Sequence, residues 1–289
     1  MKRNPGLKKI DSLRETEKNA AAGSEMNVEV QLPYLMTKKG IILSLDQALK
    51  ALMGYNIIFF GEEHDSRVAH EGELTLLTEL AGQNESLVLA LEMFERDVQD
   101  TLNAYLQGTI SEDTFLELGR PWPNYQEDYR PLVELAKNRG IPVIASNVPR
   151  RTAAEVAMAD EISANVMGED SIYLPANIHL DSEEYYERFA ALMEKMPHST
   201  PMKGLKVEAL YKAQVLKDAV MAASLEPFLD HRIFFCCGRF HSEYHLGIPY
   251  QLQKNHPELK VAVVVCAESV IGLPMRERSR VGDFIWINK

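Results

Sequence analysis

Basic residues, cysteine and long apolar runs are what this chain has little of. Its 31 Lys and Arg are outnumbered by 42 Asp and Glu, for a formal net charge of −11. The clustered positive surface that a phosphate backbone requires is therefore missing, which excludes nucleic acid as a partner. Cysteine occurs three times, as the neighbours Cys236 and Cys237 and as Cys266. All lie in apolar, strand-like runs, a pattern of buried thiols rather than of a disulfide framework. No run reaches the roughly eighteen apolar residues of a membrane-crossing helix. The opening Met1-Lys2-Arg3-Asn4-Pro5 lacks the apolar centre of an export signal, so the chain as written is expected in the cytoplasm.

What remains, 289 residues with 46% hydrophobic and 25% charged, suits one large or two modest globular domains with a sizeable core. Residues 1–27 carry alternating charges without an apolar period and are expected to form a mobile tail. A single α/β domain is expected over 28–289. Its start reads as a hairpin, Val30–Leu35 and Ile41–Leu43, turned at Gly40. Ser44 with Gln47 then makes a capping box for a helix through Met53.

From there the periodicity alternates. Strands are predicted at Asn56–Phe60, Ser86–Leu91, Ile141–Asn147, Ile233–Cys237, Lys260–Cys266 and Asp283–Ile287, and helices fill the gaps. One of them continues from Val148-Pro149-Arg150-Arg151 through Ala164. Strands alternating with helices predict a mostly parallel sheet with helices on both faces. Between about 168 and 228 the strand signal stops and two amphipathic helices, Asp181–Met196 and Leu205–Leu225, predict a helical insertion over the sheet's C-terminal edge.

The feature with most chemical content is a repeated turn. Gly61-Glu62-Glu63-His64 and Gly238-Arg239-Phe240-His241 each follow a β-branched and aromatic run. If both runs belong to one parallel sheet, both histidines stand at the edge where open α/β sheets bind ligands. Glu62 and His64 share a side of the chain, and carboxylate with imidazole suits a divalent ion or an aimed general base. The same acidic residues would also serve merely to cap the helix that follows. Glu92, at the end of an apolar run, needs a partner if buried, with His64, Arg96 and Arg150 as candidates. Asn147 and Arg150 end a third strand. The catalytic candidates are Glu62, His64, Glu92 and His241, and the metal candidates Glu62, His64 and His241. Arg232 and Arg239 are candidates for holding an anion. Tyr125 and Tyr129 share a helical face beside Trp122, where they are core, part of a ligand platform or a phenolate metal ligand. Tyr185, Tyr186, Met193, Met196, His198 and Met202 crowd the insertion, which suits ordinary packing or a flat apolar cofactor.

Several of these segments, taken in order, resemble the ChaN-like haem-binding uptake proteins: Ile58–Asp65 with His70, Leu91–Arg96 with Gln99, Tyr105–Gly108, Trp122–Pro131, Ala145–Arg150, Ala213-Gln214 with Lys217-Asp218 and Met221-Ala222, and Gly238–His241 ahead of Gly247-Ile248-Pro249. That family belongs to the Tiki/TraB superfamily, which includes erythromycin-esterase-like enzymes and is marked by paired Gly-x-x-His motifs. The resemblance implies a parallel sheet with a helical subdomain, and haem binding associated with a homodimer and iron uptake. It also implies a tyrosine on ferric iron, with basic residues or histidine near the propionates. The candidates are Tyr125, Tyr129 and Tyr185 for iron, and Arg150 and His198 for the cofactor's surroundings. Family members are usually lipoproteins of the bacterial envelope, so a trimmed N-terminus would place this chain there instead. The superfamily also implies an alternative, a metal-dependent peptidase or esterase working at the paired Gly-x-x-His cleft.

Overall fold

The computed structural model describes residues 33–83, 86–195, 204–266 and 270–288. The expected tail over 1–27 lies outside them, as does His198. The chain runs β1 (Tyr34–Thr37), β2 (Ile42–Ser44), α1 (Leu45–Leu52), β3 (Ile57–Glu62), α2 (Arg67–Ala81), β4 (Leu87–Glu95), α3 (Gln99–Leu106) and α4 (Glu112–Leu118). A π-helical turn at Tyr125–Tyr129 leads into α5 (Arg130–Arg139), β5 (Val143–Asn147), α6 (Arg150–Ala159) and the short α7 (Ala164–Met167). Next come α8 (Glu183–Lys195), α9 (Val207–Ser224), β6 (Arg232–Gly238), α10 (Ile248–Asn255), β7 (Val261–Cys266), α11 (Met275–Val281) and β8 (Phe284–Ile287).

Local signals set many of these boundaries. Ser44 accepts from the Gln47 amide while the Gln47 side chain accepts from the Ser44 amide, the reciprocal capping predicted for α1. Gly40 and Gly140 take positive φ of 80° and 65° to close the first hairpin and end α5. Two predicted boundaries are corrected. β4 does not stop at Leu91 but continues to Glu95, across a register shift against β5, because Met93 and Phe94 find buried places in the core. The helix from Arg150 ends at Ala159 rather than Ala164, since Asp160 turns into the left-handed region at φ 55°.

Among the described residues, eight strands form one sheet in the order β2-β1-β8-β7-β3-β6-β4-β5. Its pairings are parallel except β1 with β2 and β1 with β8, so the sheet is mixed. Alternation along the strands sends side chains to two cores. Ile58, Phe60, Leu89, Leu91, Phe234 and Cys236 pack with Leu76 and Leu77 of α2 and Leu132 of α5. Ile57, Phe59, Val88, Ala90, Ile233 and Phe235 pack with Met221 of α9 and Leu252 of α10. Helices thus cover both faces. A third cluster joins α6, α8 and α9 through Val156, Phe189, Leu210 and Val215. No disulfide joins Cys236, Cys237 and Cys266, and all three are buried.

For function, the decisive pairing is β3 beside β6, with Gly61 opposite Cys237 and Glu62 opposite Gly238. The two Gly-x-x-His turns leave the sheet side by side.

Candidate functional site

Close approach explains both glycines. A Cβ on Gly61 would lie 2.9 Å from Ser242 Oγ and 3.0 Å from Arg239 Cα, and one on Gly238 would lie 2.8 Å from His64 Cε1. Only glycine lets the two turns pass this tightly.

The first turn builds a cluster around the buried Glu62. Its Oε1 accepts from the Tyr129 hydroxyl at 2.7 Å and from His64 Nδ1 at 2.7 Å. Its Oε2 faces His70 Nδ1 at 3.2 Å without hydrogen-bond geometry. His70, on the buried side of α2, donates from Nδ1 to Glu73 Oε2 at 3.0 Å and from Nε2 to the His64 carbonyl at 3.2 Å. With acceptors at both nitrogens, the ring carries two protons. Burial alone would lower its pKa, but Glu62 and Glu73 outweigh that and push it up to about 11. Burial likewise acts to raise Glu62, yet the His64 hydrogen bond and the positive charge of His70 hold it below the carboxylate range. Glu73, fully enclosed and facing the Glu62 charge, is shifted the other way. His64 is raised, the Glu62 and Glu92 carboxylates overcoming its desolvation.

The second turn builds a different cluster. His241 Nδ1 lies 2.5 Å from Asp218 Oδ1 on α9, and its Nε2 lies 3.3 Å from Glu92 Oε1. Glu92 Oε2 accepts from the Gly238 amide at 2.7 Å. Its pKa falls to about 2, because His241, His64 and that amide outweigh complete desolvation. Desolvation also acts to lower His241, but Glu92 and Asp218 push it up to about 10. The Tyr185 hydroxyl donates to Asp218 Oδ2 at 2.7 Å and accepts from Gln214 at 3.2 Å. The partner of Glu92 is thus His241 and a backbone amide, rather than Arg96 or Arg150.

Both clusters open on a cleft of about 1240 Å³. Its floor holds Glu62, His64, Gly238 and His241, its apolar wall is formed by Ala153, Ala157, Phe189, Leu192, Leu210 and Phe240, and Arg150, Arg188, Lys195 and Lys217 also line it. The His64 side chain is 45% exposed and that of His241 10%. Among the sequence candidates, Glu62, His64, Glu92, His241 and Arg150 therefore meet at one edge.

The phenols are set deeper. Tyr125 lies against Phe94 and Phe115, with no hydrogen-bond partner for its hydroxyl among the described residues. Tyr129 is bound to Glu62, and Tyr185 stacks on Phe240 with ring centroids 5.1 Å apart. Burial first, then neighbouring acids, raise the pKa of Tyr129 and Tyr185 above the ordinary phenol value. Arg232 is at the opposite end of β6, where it donates to the Met53 carbonyl, so it cannot hold an anion in the cleft. Arg239 pairs with Glu63 and Glu243 at the cleft itself.

Sequence reasoning missed Asp218 and Glu73 as site residues. Each is an acid on the buried side of an otherwise apolar helix face, between Leu216 and Ala219 or beside Leu76 and Leu77. A buried acid demands a cationic or donating partner, and each stands against a histidine. Among the described residues, the acid and imidazole groups whose ligand atoms gather within 4.8 Å of one another are Glu62, His70 and Glu73.

ChaN of Campylobacter jejuni, whose structure shows cofacial haem binding, superposes with a TM-score of 0.70 over 89% of this chain and 97% of that one, at 17% identity. That likeness shows the fold. An erythromycin esterase in its open conformation aligns over 88% of this chain and 83% of its own at a TM-score of 0.45 and 12% identity, too distant to bear on chemistry. Protein RETICULATA-RELATED 5, chloroplastic, of Arabidopsis thaliana is 23% identical over 256 residues, covering 81% of this chain and 34% of the relative. The chain thus spans about a third of that relative's length. A family model for haem-binding uptake, Tiki superfamily, ChaN matches residues 48–252. That stretch runs from α1 into α10 and takes in both Gly-x-x-His turns, and the chain accordingly belongs to the ChaN haem-binding uptake family of the Tiki superfamily.

Proposed function

We propose that the chain carries ferric haem in the strand-edge cleft and works as a homodimer in iron uptake. The observation that supports this most is the cleft's composition. An apolar wall of Phe189, Leu192, Leu210 and Phe240 faces a set of cations, Arg150, Arg188, Lys195 and Lys217. A flat apolar ring with carboxylate tails is matched by such a surface, the ring against the wall and the tails on the guanidinium groups. At about 1240 Å³ the space exceeds the roughly 300–1,000 Å³ of ordinary ligand pockets. Bound haem would supply an iron centre that a protein side chain can ligate.

The family resemblance favours a tyrosine on ferric iron, and Tyr185 is the candidate that abuts the cleft-lining Phe240 and Gln214. To ligate, it would have to leave Asp218 and lose its proton. His64 would keep its partner on ligation, because Glu62 holds its Nδ1 and its exposed ring lines the cleft, and it would have only to give up any proton on Nε2. Ferric haem titrated into the protein is expected to shift the Soret band with about one haem per chain. Comparing Tyr185→Phe with His64→Ala identifies the ligand by which variant changes the spectrum. No shift at micromolar haem would overturn the proposal.

A second reading draws on the floor of the cleft. Two histidines, each oriented by a carboxylate, fit general acid–base hydrolysis of an ester or peptide, with a divalent ion or an activated water. His64 on Glu62 and His241 between Asp218 and Glu92 are the groups involved. A screen of ester and peptide substrates with chelator-free protein tests it. Turnover that disappears in His64→Ala is expected, and no His64-dependent turnover would remove this reading.

A further inference from the structure

We propose that Glu62, His70 and Glu73 form a site for one divalent transition-metal ion, reached past His70 from the acidic cleft beside α2. Three observations support it, none of which depends on haem binding.

The first is donor geometry. Two ligand atoms about 2.1 Å from an ion and at right angles to each other lie about 3.0 Å apart. His70 Nδ1 is 3.0 Å from Glu73 Oε2 and 3.2 Å from Glu62 Oε2, spacings that an ion replacing the Nδ1 proton would preserve. Two carboxylates with one imidazole suit Mn²⁺, Fe²⁺ or Zn²⁺ better than a soft ion such as Cu⁺.

The second is orientation. His70 donates from Nε2 to the His64 carbonyl at 3.2 Å, the outer hydrogen bond that fixes the tautomer of metal-bound histidines. Glu62 is held the same way, with Tyr129 and His64 both on Oε1. Its other oxygen, Oε2, is buried and accepts no hydrogen bond among the described residues, and the same is true of Glu73 Oε1. Buried carboxylate oxygens without a protein donor call for another partner, and a cation is one that would serve.

The third is the entrance. A second cleft, of about 940 Å³, reaches His70, and its lining of five acids, Glu63, Asp65, Glu71, Glu127 and Asp128, outnumbers Arg67 and the imidazoles of His64 and His70. A cleft lined by one sign of charge concentrates ions of the other.

The full chain, stripped of metal by chelation and kept free of haem, should bind Co²⁺ at one equivalent per chain with micromolar or tighter affinity. Visible ligand-field bands report the binding. Zn²⁺ and Mn²⁺ added separately should displace the Co²⁺. Glu73→Gln and His70→Asn should each weaken binding at least 100-fold. Should either variant fail to fold, nitrogen couplings from one imidazole in pulsed EPR of Mn²⁺ on the unaltered chain give the same answer. Absence of stoichiometric binding, survival of full affinity in both folded variants, or couplings from no imidazole or from two would each overturn the site. The haem titration is independent, so failure here leaves the haem reading standing, and the converse holds.

Discussion

The two Gly-x-x-His turns leave adjacent parallel strands in register, yet their histidines meet different surroundings. His64 shows 45% of its side chain to the cleft and has one close carboxylate partner, Glu62. His241 shows 10% and is clamped between Asp218 and Glu92. The glycine does the same work in both turns, since a methyl group at either position would strike the neighbouring turn. What differs is the element packed opposite. α9 closes over His241 and brings Asp218, whereas the π-helical turn and α2 approach Glu62 from behind and leave His64 facing the cleft. A short motif therefore fixes the backbone, and the helices stacked on it decide what each imidazole does.

Substitutions can break or sharpen that contrast. The largest effect is expected for Asp218→Ala, which strips the enclosed His241 of one carboxylate and Tyr185 of its acceptor. Removing one partner of a buried pair costs about 3–5 kcal/mol, visible as a lowered urea midpoint. Gly238→Ala should follow. Its methyl would press on His64 Cε1, and overpacking of this kind costs about 1–3 kcal/mol. In haem titrations this variant should also alter any spectrum that depends on His64. Tyr129→Phe removes a donor from the ionised Glu62 and should lower stability by about 1.5 kcal/mol. Smallest should be His64→Ala, at under about 1 kcal/mol, because this donor to Glu62 is nearly half exposed and water can take its place. If His64→Ala proved as costly as Asp218→Ala, the contrast between the two turns would be lost.

The same contrast has a pH dependence. His241 and His70 are raised to about 10 and about 11 in the fold. A raised pKa contributes stability that is complete below the unfolded value near 6.5 and is lost as pH rises through the folded value. Urea midpoints should therefore fall between pH 7 and pH 10. On the acid side Glu92, lowered to about 2, contributes stability lost below about pH 4, while the raised Asp218 and Glu73 act against it. The alkaline limb is thus the diagnostic one, and a flat profile there would mean that the buried imidazoles are neutral in the fold.

Much of the fold was legible because it rests on short-range signals. Apolar strand runs, the Ser44–Gln47 capping box and the turns at Gly40 and Gly140 act within a few residues. β4 and α6 were misjudged at their ends, where tertiary contacts at Met93 and Phe94, and the left-handed Asp160, override local pattern. The convergence of Glu62, His64, Glu92 and His241 followed from strand ends sharing an edge. Asp218 and Glu73 did not, because helical acids declare themselves only once their face is known to be buried. The tyrosines illustrate the same limit. Tyr125 and Tyr129 share a face of one segment, but spacing alone does not tell that one hydroxyl meets Phe94 and Phe115 while the other reaches Glu62.

The central claim is that the cleft at the paired Gly-x-x-His edge is where haem sits. Ala154 is an exposed residue of α6 that lines this cleft, so Ala154→Trp would fill space there with little demand on the core. Ferric haem titrated into both proteins and followed at the Soret band is the direct test. The account predicts one haem per chain in the unaltered protein and at least tenfold weaker binding in the folded Ala154→Trp variant. Equal affinity in the two, or no Soret change in either, would contradict it.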